Sequence, residues 1–174
     1  SGYDEALANC LLLLSYTNSA TGGEGFGYCR KAIGISEAIK DRKLMSRSYN
    51  QLYLLYYQKS DYDSATLAAE RSLTIAREIS FKPMLARGHQ NFGILNSIKG
   101  HHAAAIENFL VSERYYTELR DDFALAMLLG NLGVTFEEAG NHGKALEYMH
   151  KELVISTTIQ NEYLQAWSMV NIGS

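Results

Sequence analysis

The chain repeats itself every 40 residues, and few features constrain a fold more. Gly93, Gly133 and Gly173 stand in one register, Asn91, Asn131 and Asn171 in a second, and Ala65, Ala105 and Ala145 in a third. A period of this size marks a solenoid, in which each unit buries its apolar face only against its neighbours. Solenoids are mostly surface, so what the chain holds is the first functional question.

Further columns run in phase. Ala6, Ser46, Ala86, Ala126 and Ala166 are small, while Leu52, Phe92, Leu132 and Ile172 are bulky and apolar. Within the fourth unit Leu128, Leu129, Leu132 and Phe136 fall at three- and four-residue steps, as one buried helix face requires. The run Gly140-Asn141-His142-Gly143 then favours a turn. A second helical pattern follows with Ala145, Met149 and Leu153. Each unit therefore reads as helix, turn, helix. The pattern predicts pairs near 3–18 and 24–39, 42–59 and 61–79, 83–99 and 101–119, and 122–139 and 142–159, with a lone helix from 162. Pro83 suits a first helical turn, and Asp61 and Asn141 suit N-caps. The small residues are expected to let paired helix backbones approach closely.

On these residues the chain resembles the tetratricopeptide (TPR) family. Asn131-Leu132-Gly133, Phe136, Gly140 and Ala145 reproduce its Leu-Gly, aromatic, Gly and Ala at fixed offsets, and Asn91-Phe92-Gly93, Gly100 and Ala105 repeat it. The usual period is about 34 residues. The longer unit resembles LGN-type spindle adaptors, kinesin light chains and bacterial Rap-type or other TPR signalling regulators. The resemblance implies an all-α, right-handed superhelical TPR solenoid of antiparallel helix pairs. Residues 1–174 then read as a single array, with units near 1–40, 41–80, 81–120 and 121–160 and a partial fifth at 161–174. An array that stops inside a helix pair reads as a fragment of a larger protein. Its lone last helix, with Met169 and Ile172, is a candidate for homo-oligomer contact. Two departures stand out: Tyr53 takes the place of the later glycines, and in the first unit Leu13 stands there and Gly25 stands for the alanine.

A formal net charge of −3 gives no global basic field, which argues against nucleic acid as a partner. The aliphatic run Leu11 to Leu14 is far too short to span a bilayer, so no membrane role is expected. Cys10 and Cys29 do not make a disulfide framework and read as buried, reduced thiols, which suits the cytoplasm.

Chemical motifs are sparse. The glycine-rich stretch at 22–27 follows a helix and lacks the Lys of a phosphate loop, so it reads as an inter-helix turn. His101-His102 are adjacent, cannot face one metal from one helix, and read as a solvated turn. Glu137-Glu138 point in different directions and do not converge on a substrate. No catalytic constellation, metal site or cofactor is therefore expected, and the tyrosines read mainly as packing.

In TPR arrays the first helices line a concave groove, and the resemblance places ligand contacts at set positions along each. The sixth-position column is Leu11, Gln51, Asn91, Asn131 and Asn171; the second-position column is Leu7, Arg47, Arg87, Met127 and Trp167. Asn50 and Gln90 adjoin them. Amides can pair with the N–H and C=O of an extended peptide, as the resemblance to LGN-type adaptors implies, and arginine forks a carboxylate. The candidate peptide- or partner-binding residues are Arg47, Asn50, Gln51, Arg87, Gln90, Asn91, Asn131 and Trp167. The expected ligand is a protein or peptide segment with acidic residues against the two arginines and a basic or apolar part against the fourth unit. The amides could instead brace neighbouring helices. At the functional level, a peptide-binding scaffold or sensory module stands beside two alternatives. One is a self-associating or input–output linker domain of a bacterial signalling protein. The other is a regulator whose effector or catalytic segment lies outside this chain.

Overall fold

The structure is a computed structural model that describes residues 2–18 and 24–173, with the side chains at 168 and 171–173 excepted. The described residues form nine α-helices and no strand: α1 Gly2–Thr17, α2 Glu24–Ala38, α3 Arg42–Gln58, α4 Tyr62–Glu78, α5 Lys82–Ile98, α6 His102–Leu119, α7 Asp122–Glu138, α8 His142–Thr158 and α9 Glu162–Gly173. The expected borders hold to within about two residues. The first part of the glycine-rich stretch, residues 22–23, lies outside the described residues, and its remainder opens α2.

One junction recurs between successive helices from α2 onward. Lys40, Ser60, Ser80, Gly100, Arg120, Gly140 and Gln160 all have positive φ, at a spacing of 20 residues. The following N–H turns back to a carbonyl five residues earlier, as in Asp41 to Ser36, Asp61 to Tyr56 and Asn141 to Phe136. This closes each helix with a left-handed C-cap of the Schellman type. The next residue is already an N-cap: the side chains of Asp41, Asp61, Asp121, Asn141 and Asn161 accept from the backbone N–H three residues on. Two junction residues thus end one helix and start another. Phe81 takes the equivalent place before α5, where Pro83 sits in the first turn, and His101 caps without a side-chain bond.

The chain forms two compact units, Ser1–Gly88 and His89–Ser174, divided within α5. In the first, α1 packs on α2, α2 on α3, α3 on α4, and α1 also touches α3. Ser46 near the start of α3 meets Ser72 near the end of α4, each hydroxyl donating to the other's carbonyl at 2.9 and 2.8 Å. Tyr57 near the end of α3 meets Tyr62 at the start of α4, so the pair is antiparallel. In the second unit α6, α7, α8 and α9 pack in sequence, and α7 also touches α9.

The glycine column makes room chiefly for side chains rather than for a bare backbone approach. A Cβ on Gly93 would fall 2.3 Å from the Phe109 ring, and one on Gly133 2.7 Å from Met149 Cγ. The equivalent residue in α4 is Ala69, which is fully buried, and Tyr53 is buried on α3. The second repeat has moved the bulk from one helix of the pair to the other.

The first repeat corrects the sequence register. Ala8, not Ala6, is the fully buried small residue of α1. Gly25 lies against the Ser15 carbonyl, which a Cβ there would meet at 3.0 Å, while Leu13 is exposed. Ala8 precedes Gly25 by 17 residues, whereas Ser46 precedes Ala65 by 19, so every column shifts by two in α1. Asn9, rather than Leu7, is therefore the counterpart of Arg47 and Arg87. Cys10, expected to be buried, is exposed, while Cys29 is buried.

Candidate binding surfaces

In the first unit the first helices of the repeats line a groove of about 480 Å³. Arg47, Asn50, Gln51 and Arg87 all reach it, together with Asn9, whose place emerges only once the α1 register is corrected. Apolar groups supply the rest, among them Leu12, Leu54, Phe81 and Met84. Arg47 is oriented by Asn9, its Nη1 donating to Asn9 Oδ1 at 3.0 Å. Among the described residues neither Arg47 nor Arg87 pairs with a carboxylate, and both are exposed. Two guanidinium groups thus face a partly apolar hollow with most of their donors available. Asn50 and Gln51 are enclosed, at 8% and 9% exposure, and Gln51 Nε2 donates to Ser15 Oγ across a long 3.4 Å.

The second unit holds the other candidate residues. Gln90 is half-buried and its Oε1 accepts the Tyr116 hydroxyl at 2.7 Å, which braces α5 on α6. Asn91 is only 6% exposed. Asn131 and Trp167 come together at a smaller hollow of about 240 Å³, with Ile94, Ile98, Val134 and Glu138. Asn171 belongs to α9, but its side chain lies outside those described.

Sequence reasoning missed a further concavity of about 450 Å³ in this unit, walled by Leu125, Leu129, Val154 and Ile155. Its rim carries Glu113 and Glu147. Burial pushes the Glu113 carboxyl above its ordinary value. Hydrogen bonds from Lys144 and Lys151 hold Glu147 down at about 2. Nothing in the 40-residue columns singled it out, because its walls follow the ordinary packing pattern.

The remaining polar motifs settle into local contacts. His142 Nδ1 lies 2.7 Å from Glu137 Oε1. His102 is half-buried rather than solvated, with Nδ1 3.6 Å from Glu138 Oε2. Among the described residues no group of three or more metal-ligating side chains converges. No helix among them is long and apolar enough to cross a membrane.

No family model matches the sequence, and a search of curated proteins returns no match. Solved structures do match. BtubC (BKLC) from P. vanneervenii superposes with a TM-score of 0.89 at 18% identity, over 98% of this chain and 72% of that one. Aspartyl phosphate phosphatase F from Bacillus subtilis gives 0.83 at 15% identity, over 94% and 44%. A signal transduction ATPase with a tetratricopeptide repeat sensor, from Pyrococcus horikoshii, gives 0.78 at 15%, over 97% and 26%. The chain thus spans less than half of two of these proteins. Likeness at such low identity speaks for architecture and not for activity: together with the repeated helix pairs it shows that this chain has the tetratricopeptide-type helical-repeat fold.

Proposed function

We propose that the chain is a protein-interaction module whose first unit receives an acidic segment of a partner. The observation that carries this reading is the groove containing Arg47 and Arg87. It offers two guanidinium groups with no carboxylate partner among the described residues, beside apolar walls. Such a surface suits a peptide that presents a carboxylate flanked by an apolar side chain. Asn9 pre-orients Arg47, which lowers the ordering cost of binding. Asn50 and Gln51, being enclosed, contribute chiefly to the groove floor. This reading assigns no reaction to the chain; its work is recognition within a scaffold or sensor.

The test compares the chain with its Arg47→Glu/Arg87→Glu variant against a set of fluorescent peptides. Each peptide pairs an Asp or Glu with an Asn or Gln counterpart. Acid-bearing peptides are expected to bind the wild type and to lose at least about tenfold in affinity on charge reversal, the equivalent of about 1.4 kcal/mol. Equal binding by the amide peptides, or by the reversed variant, would remove the arginines from the site.

Self-association is the second reading, and one observation favours it. Tyr163, Met169 and Val170 expose most of their surface along α9. A mass by light scattering that rises with concentration, and falls back in Met169→Lys/Val170→Lys, would support it.

A further inference from the structure

We propose that the small hollow of the second unit receives a lysine or arginine side chain of a partner protein. This rests on the reading of the chain as a protein-binding module, but it uses a pocket and a charge different from those of the Arg47–Arg87 groove. The walls are aliphatic, formed by Ile94 and Ile98 of α5 and Val134 of α7. At the rim stands Glu138, the one charged residue among those lining the hollow. Trp167 of α9 adds an indole that is 49% exposed.

The polar contacts orient the carboxylate. Thr135 donates its hydroxyl proton to the Asn131 carbonyl at 2.8 Å. Ser97, 3.3 Å from Thr135 Oγ1, donates to Glu138 Oε2 at 3.1 Å. His102 Nδ1 lies 3.6 Å from that same oxygen. One carboxylate oxygen is therefore held on the protein side.

Charge and shape then select the occupant. An acidic side chain would meet Glu138 as a like charge. A purely apolar one would strip water from the carboxylate without replacing it. Lysine and arginine carry both parts needed: an aliphatic stem for the isoleucine and valine walls, and a cationic head for Glu138 and the indole face. The Asn131 amide, half-exposed beside the hollow, supplies an additional acceptor.

Trp167 is the only tryptophan in the sequence, so its emission reports on this hollow directly. The probes are capped pentapeptides of alanine with a central arginine, lysine, norleucine or glutamate. The arginine and lysine peptides are expected to change Trp167 emission saturably at low salt. Norleucine, which keeps the stem without the charge, is expected to bind about tenfold more weakly. Glu138→Gln should weaken the cationic peptides by a similar factor while helicity and melting temperature stay unchanged, and Arg47→Glu/Arg87→Glu should leave the response intact. Equal binding of norleucine overturns the proposal whatever the variant does. So does an unaltered affinity in Glu138→Gln, or the absence of any saturable change up to about 10 mM peptide. Failure here leaves the acidic-segment reading standing, because that test uses other peptides and the other unit.

Discussion

At the scale of single residues, the two cysteines show how burial alone makes a chemical difference. Both sit on helices of the first repeat, yet Cys10 is exposed and Cys29 is buried. Cys29 lies against the Ser48 carbonyl at 3.4 Å, and burial pushes its thiol up to about 12, against smaller opposing effects of Ser15 and Arg30. The native thiol therefore stays neutral where an unfolded cysteine, with a pKa of about 8.5, has begun to ionise. Its contribution to stability is complete below that pH and is lost as the pH rises toward about 12. Burial raises the Tyr53 phenol too, so both groups act in the same direction. Native protein is expected to consume one equivalent of a thiol reagent rapidly, at Cys10, and the second only on unfolding. Denaturant midpoints should fall as the pH passes above about 8.5, and less steeply in Cys29→Ala. Rapid labelling of both thiols in the native state would show that Cys29 is not enclosed.

At the scale of elements, the junctions carry much of the architecture. Non-glycine residues in the left-handed region bear a Cβ penalty of about 1 kcal/mol, and Ser60 and Arg120 both stand there with φ near +55°. Ser60→Gly and Arg120→Gly are each expected to raise stability by about 0.5–1 kcal/mol. Asp121→Ala, which removes the acceptor for the Ala124 N–H, should lower it by about 1 kcal/mol. Equilibrium denaturation checks all three, and a loss of stability in the glycine variants would contradict the conformational argument. These junctions also show what was legible. Gly100, Gly140, Asp61 and Asn141 use residue types that announce a turn or a cap, and helix pairs were readable from apolar spacing. Lys40, Ser80 and Gln160 do the same job with side chains that carry no such signal. The α1 register was hidden for a related reason. Ala6 and Ala8 are both small, so composition alone could not say which one packs, and the displaced columns concealed Asn9. The amide column was visible as a pattern, but its burial at Asn91 and the tie between Gln90 and Tyr116 depend on neighbours that no column of identities reveals.

At the scale of the whole molecule, the helices pack in chain order inside each unit, α1 to α4 in the first and α6 to α9 in the second, with α1 also touching α3 and α7 touching α9. Stability in such a fold is the sum of repeat terms and nearest-neighbour terms. A lesion should then weaken its own pair most and fade along the sequence. Gly133 offers a clean test, because a Cβ there would stand 2.7 Å from Met149 Cγ and 3.4 Å from the Ala145 carbonyl. Gly133→Leu forces α7 from α8 and is expected to cost about 1–3 kcal/mol as an overpacking change. Amide hydrogen exchange should accelerate strongly in α7 and α8 and moderately in α6 and α9, with little change in α1 to α4. The same measurement on Gly93→Leu, which would collide with Phe109, should move the centre of the effect to α5 and α6. Uniform loss of protection in either variant would mean that the chain unfolds as one cooperative body, and that the period in its sequence does not mark separable energetic units. A graded response would mean that a substitution in one unit leaves the helices of the other intact, as separable repeat terms require.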